Sequence, residues 1–119
     1  MDLTPGDTPG PEAAELAWHD VAAWDELPTD GGGRTVEVGS RAIALFRVGE
    51  GLHAVSDSCP HSGASLGMGV VVDGDVTCPW HSFHFELTSG QNTDGLACRV
   101  RVYPVRRAPA GRVEIGLPV

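Results

Sequence analysis

Long apolar runs are missing from this 119-residue sequence. The densest, Ala42-Ile43-Ala44-Leu45-Phe46, stops at Arg47. A bilayer-spanning helix needs about 20 such residues, so no membrane anchor is expected. The first fifteen residues have neither a basic start nor a hydrophobic segment, so no secretory signal is expected. A soluble, cytoplasmic protein is the expectation. Cysteine is scarce as well. Three of them give no disulfide framework and fit a reducing compartment. Positive charge is thin: eight Lys and Arg stand against sixteen Asp and Glu, a formal net charge of −8. Nucleic-acid binders need basic patches, so no nucleic-acid partner is expected. The acidity serves solubility, or steering toward a basic dock on another protein. No Ser/His/Asp triad, phosphate-cradling glycine loop or nucleotide fingerprint is present. The chain is therefore not expected to bind a nicotinamide or flavin itself.

What is present is a series of short apolar segments cut by turns. Residues 1–15 carry Pro5, Pro9 and Pro11, lack periodicity and read as a disordered tail. Trp18 to Val21 predicts a first strand, and Thr29-Asp30-Gly31-Gly32-Gly33 a flexible loop. Thr35 to Val38 alternates. Ile43 to Val48 is almost continuously apolar, as in a strand covered on both faces. Gly49-Glu50-Gly51 links it to Leu52–Ser56 as a hairpin. Asp73-Gly74-Asp75 sits between Val70-Val71-Val72 and Val76-Thr77, a strong short-hairpin signal. Phe83 to Leu87, Arg99 to Val105 and Arg112 to Ile115 predict further strands. About nine strands and no amphipathic helix describe an all-β antiparallel domain.

Two stretches carry the chemistry: Cys59-Pro60-His61 and Cys78-Pro79-Trp80-His81. Each offers one thiolate and one imidazole, a donor set that suits zinc or an iron–sulfur centre. Structural zinc fingers usually pair like ligands on each knuckle. The mixed pairs suit a two-iron cluster better, and a zinc-binding interaction module stays as the minor alternative.

At these residues the sequence resembles the Rieske [2Fe–2S] family, whose two cluster-binding loops Cys59–Gly63 and Cys78–His81 match in spacing and residue type. The resemblance runs from about Trp18 to the C-terminus. It implies a β-sandwich over residues 16–119 with a small inserted cluster-binding subdomain at about 57–90. It further implies one [2Fe–2S] cluster held by Cys59, His61, Cys78 and His81, and one-electron transfer as the function. Neutral imidazoles in place of two thiolates make the oxidised cluster less negative. That raises its potential into the range of about −150 to +300 mV.

Departures from the family pattern point to the low end of that range. Where high-potential members carry two loop-bridging cysteines, this chain has Ala64 and Trp80. Where they carry a sulfide-bonding hydroxyl, it has Phe83, and fewer hydrogen bonds to sulfur leave the reduced state less stabilised. Gly63 fits close backbone approach to sulfide; Gly67 and Gly69 read as ordinary turn glycines. Ser62 and Ser82 either donate to sulfide or face water, and Trp80 shields the cluster or simply packs. The expected third, proline-containing loop has no counterpart in Gln91-Asn92-Thr93-Asp94-Gly95. His19, His53 and His84 read as surface or boundary residues, and Cys98 as a small core hydrophobe.

Two assignments follow from the resemblance. The first is a carrier between a flavin reductase and a terminal oxygenase. The second is a subunit resembling the small subunit of assimilatory NAD(P)H-dependent nitrite reductase, with that enzyme's large subunit as partner. Ile43-Ala44-Leu45-Phe46-Arg47 and Tyr103-Pro104-Val105-Arg106 are similar to stretches of the latter.

Overall fold

The computed structural model describes residues 15–60, 62–80 and 82–119; the expected tail lies outside them except for Glu15. Ten strands form, all paired antiparallel, with no α-helix among the described residues. No helix there is long and apolar enough to cross a membrane.

The first sheet has β1 (Leu16–Ala23) beside β10 (Arg112–Pro118) and then β9 (Val105–Ala108). The second runs β2 (Gly33–Val38), β3 (Arg41–Val48), β4 (Gly51–Ser56) and β8 (Val102–Tyr103). Between them lies one core, built from Trp24, Leu27, Ile43, Leu45, Ala54, Tyr103, Val113 and Ile115 with smaller neighbours. The third sheet is small: β5 (Val70–Val72), β6 (Asp75–Thr77) and β7 (His84–Glu86).

Strand β3 explains how the third sheet attaches. Successive side chains of a strand point to opposite faces. Ile43 and Leu45 enter the first core, while Ala44 and Phe46 enter a second, with Val55, Leu66, Val76, Phe85, Leu87 and Val100. All four β3 residues are fully buried. The unbroken apolar run is therefore the signature of a strand shared by two cores. Both Cys59 and Cys78 belong to the second core.

Local chemistry sets the turns. Asp73 (φ 52°) and Gly74 (φ 84°) both take positive φ and close the β5–β6 hairpin, the conformation a two-residue primed turn demands. Two expectations are corrected. Residues 99–105 do not form one strand. Pro104 interrupts it, because proline has no N–H for the ladder, and there the chain passes from the second sheet (β8) to the first (β9). The glycine loop 29–33 is not a loose connection. Gly32 bridges Val70, the Val71 N–H donates to the Gly31 carbonyl at 2.7 Å, and any side chain on Gly33 would collide with the Phe46 ring. Those contacts pin the sandwich to the third sheet.

Candidate metal centre

The two cysteine loops follow β4 and β6, and they are built alike. In the first, the Cys59 N–H donates to the Ala64 carbonyl at 2.9 Å; in the second, the Cys78 N–H donates to the Phe83 carbonyl at 2.7 Å. Both bonds close over five residues. The residue four past each cysteine takes a left-handed conformation, Gly63 at φ 73° and Ser82 at φ 55°. Glycine suits that position and serine does not, so the second loop's shape is concealed in the sequence.

This shared shape sets Cys59 and Cys78 side by side, each only 1% exposed. Burial pushes the Cys78 thiol above the ordinary thiol range. The Ser62 hydroxyl, 3.5 Å from its Sγ, and the Trp80 N–H, 3.4 Å away, pull in the other direction; the adjacent Cys59 adds to the rise. Two neighbouring buried thiols cannot both ionise without a compensating cation. The pair is thus a candidate donor pair for a metal. His61 and His81 lie outside the described residues. Among the described residues no three His, Cys, Asp or Glu side chains converge.

A buried carboxylate that sequence reasoning passed over secures the first loop. Oδ1 of Asp57 accepts from Thr35 Oγ1 (2.9 Å), Ser65 Oγ (2.9 Å) and the Gly67 N–H (2.8 Å). Thr35 is on β2, so the bond ties the loop to the sandwich. Gly67 is more than a turn glycine: a Cβ there would collide with Thr35 Oγ1, and one on Gly69 with the Thr77 carbonyl. Nothing local in the sequence signals this anchor, because Gly67 is ten residues from Asp57 and Thr35 on β2 is 22.

The stretch after the third sheet is likewise held by polar contacts. His84 grips Asp94 twice, through its N–H to Oδ2 (2.7 Å) and through Nδ1 to Oδ1 (2.9 Å). Asn92 Nδ2 donates to the His84 carbonyl, and Asn92 Oδ1 accepts the Asp94 and Leu96 N–H groups. Residues 92–96 are therefore fastened to β7 without proline. His84 has a structural partner, in keeping with a boundary role, and His19 is exposed. Trp80 is 60% exposed, which rules out simple core packing. Cys98 is partly buried against the second core.

The sequence profile of the Rieske [2Fe-2S] domain matches residues 17–104. The chain belongs to the Rieske [2Fe-2S] family. It is 37% identical over 107 residues to the anthranilate 1,2-dioxygenase ferredoxin subunit of Burkholderia cepacia, covering 89% of this chain and 97% of that one. Among solved structures it is similar to a chain named provisionally as the NADH-dependent nitrite reductase small subunit of Mycobacterium tuberculosis. That match has a TM-score of 0.81 and 32% identity, over 88% of this chain and 98% of the other. The ferredoxin of carbazole 1,9a-dioxygenase from Nocardioides aromaticivorans IC177 gives a TM-score of 0.77 and 27% identity, over 86% and 98%.

The Rieske domain carries one [2Fe–2S] cluster, and its work is electron transfer through that cluster. The described residues fit it. Cys59 and Cys78 would supply two soft anionic donors to it once deprotonated. The Ser62 hydroxyl and Trp80 N–H are aimed at one of the sulfurs, as outer donors around an iron–sulfur centre should be.

Proposed function

We propose that this Rieske protein is the ferredoxin component of a multicomponent oxygenase system in the cytoplasm, with residues 16–119 as its Rieske domain and about 57–90 as the cluster-binding subdomain. In this reading Cys59 and Cys78 hold one iron, and His61 and His81 the other. The cluster, when bound, accepts and gives one electron at a time. The residues of this chain hold it, screen it from water and set the hydrogen bonding at sulfur. The observation that carries the reading is the pair of like-built loops that sets two buried cysteines side by side, with a histidine two residues past the first and three past the second. The partners are a flavin reductase upstream and a terminal oxygenase downstream, as the ferredoxin relatives support. The cysteines form no disulfide among the described residues, in agreement with a reducing compartment.

The TM-score of 0.81 to the provisionally named nitrite reductase small subunit supports a second reading, a stable subunit beside a nitrite reductase large subunit. Tagged protein from its native host separates the two. The first reading expects the chain to elute alone and to transfer electrons from a flavin reductase to an oxygenase. A stoichiometric sirohaem-containing large subunit would overturn it. The ligand set is tested by anaerobic, iron-replete purification. The expected product is red-brown, with two irons and two sulfides per chain, and His61→Cys or His81→Cys lowers its potential or loses the cluster. Colourless protein holding one zinc would overturn it.

A further inference from the structure

The first loop reaches across to the second through the Ser62 side chain. Ser62 Oγ lies 3.5 Å from Cys78 Sγ, and it also accepts the Ala64 N–H at 3.2 Å. The Ala64 bond occupies a lone pair of the hydroxyl and leaves its hydrogen available. A thiolate has no hydrogen to give, so with a metal bound the bond has one direction: Ser62 donates and Cys78 accepts. The Trp80 N–H donates to the same sulfur at 3.4 Å. Of these two donors, only Ser62 can be removed by a side-chain substitution.

We propose that Ser62 is a positioning residue of the redox centre, donating across the loops to the Cys78 thiolate and so raising the potential of the cluster. The argument rests on Cys78 being a ligand. Reduction adds negative charge to the centre and its sulfurs, and a hydrogen bond to a charged acceptor strengthens as that charge grows. The donor therefore stabilises the reduced form more than the oxidised form. Loss of one such hydrogen bond should change the reduction equilibrium by about tenfold, which is about 59 mV for one electron. The hydroxyl also ties the two loops together, so its loss should speed release of iron to a chelator.

Ser62 is exposed, so small side chains are accommodated there. The test is protein-film voltammetry on intact holoprotein of the parent, Ser62→Ala, Ser62→Thr and Ser62→Val. Threonine and valine have nearly the same shape and differ in the hydroxyl. The threonine protein should stay within about twofold of the parent's equilibrium. The alanine and valine proteins should both fall about tenfold. Iron–thiolate stretching bands in the resonance Raman spectrum should shift in D₂O for the parent and threonine proteins, and less for valine. If the alanine protein sheds its cluster, the threonine–valine comparison still decides. Equal potentials and equal isotope shifts for threonine and valine in coloured protein would overturn the role of Ser62 alone. A parent lacking thiolate-to-iron absorption would overturn the ligand reading, and this proposal with it.

Discussion

Removing the Asp57 side chain should cost more stability than its place in a loop suggests. Three donors meet on Oδ1, and the residue is 8% exposed. In Asp57→Ala the Gly67 N–H is left buried without an acceptor, a penalty of about 1–3 kcal/mol. The Thr35 and Ser65 hydroxyls lie 3.2 Å apart and can bond each other, so their loss is smaller, about 0.5–1 kcal/mol each. Relief from keeping a carboxylate out of water offsets part of this. The net expectation is about 3 kcal/mol, a large share of the 5–15 kcal/mol typical of a whole domain. Asp57→Asn is the decisive control. Its amide oxygen can occupy the Oδ1 position and keep the Gly67 bond, losing mainly the charge assistance, about 1 kcal/mol. Urea unfolding of the holoprotein followed by tryptophan fluorescence gives both values from the midpoint and slope. Iron release to a chelator should be faster in the alanine protein than in the asparagine protein. Equal losses for the two variants, or a loss under about 0.5 kcal/mol for alanine, would refute the reasoning.

The paired loop conformations predict substitutions of opposite character. Gly63→Ala forces a Cβ into the left-handed region and should destabilise by about 1–2 kcal/mol. Ser82→Gly relieves that same strain and should lie between neutral and about 1 kcal/mol stabilising, since glycine's greater unfolded-state freedom offsets part of the gain; the reverse ranking in thermal melts would refute the assignment. Asp94 gives a pH prediction. The His84 backbone N–H first, and then its ring, hold the Asp94 carboxyl below the usual range. A depressed folded-state pKa means the contribution is present above the unfolded value, about 3.9. It is lost as pH falls through the folded value. The His84 amide NMR shift should therefore titrate with a midpoint below about 3.9, and Asp94→Asn should abolish that titration; a midpoint at or above the ordinary aspartate value would refute the clamp.

Features made by neighbours in the chain were legible from the sequence alone. Cys59-Pro60-His61 and Cys78-Pro79-Trp80-His81 offer a metal donor set by residue type and spacing, since metal donors must come from a small set of side chains. Asp73-Gly74 marks its hairpin because positive φ is a local demand. The all-β class followed from short apolar segments between turns. Only the tertiary structure decided what those segments meet. The run from Ile43 to Phe46 announces a strand buried on both faces, yet nothing in it says that one face belongs to the sandwich and the other to the cysteine loops. Pro104 marks a break, but the exchange of sheets there depends on where β4 and β10 lie. Asp57, Thr35, Ser65 and Gly67 are unremarkable apart and form one anchor together. Ser62 and Cys78 likewise meet across sixteen positions. A short-range code reports the conformation and chemistry each residue can support. A buried hydrogen bond between distant residues exists only after the apolar faces have packed and brought donor and acceptor within 3 Å or so of each other.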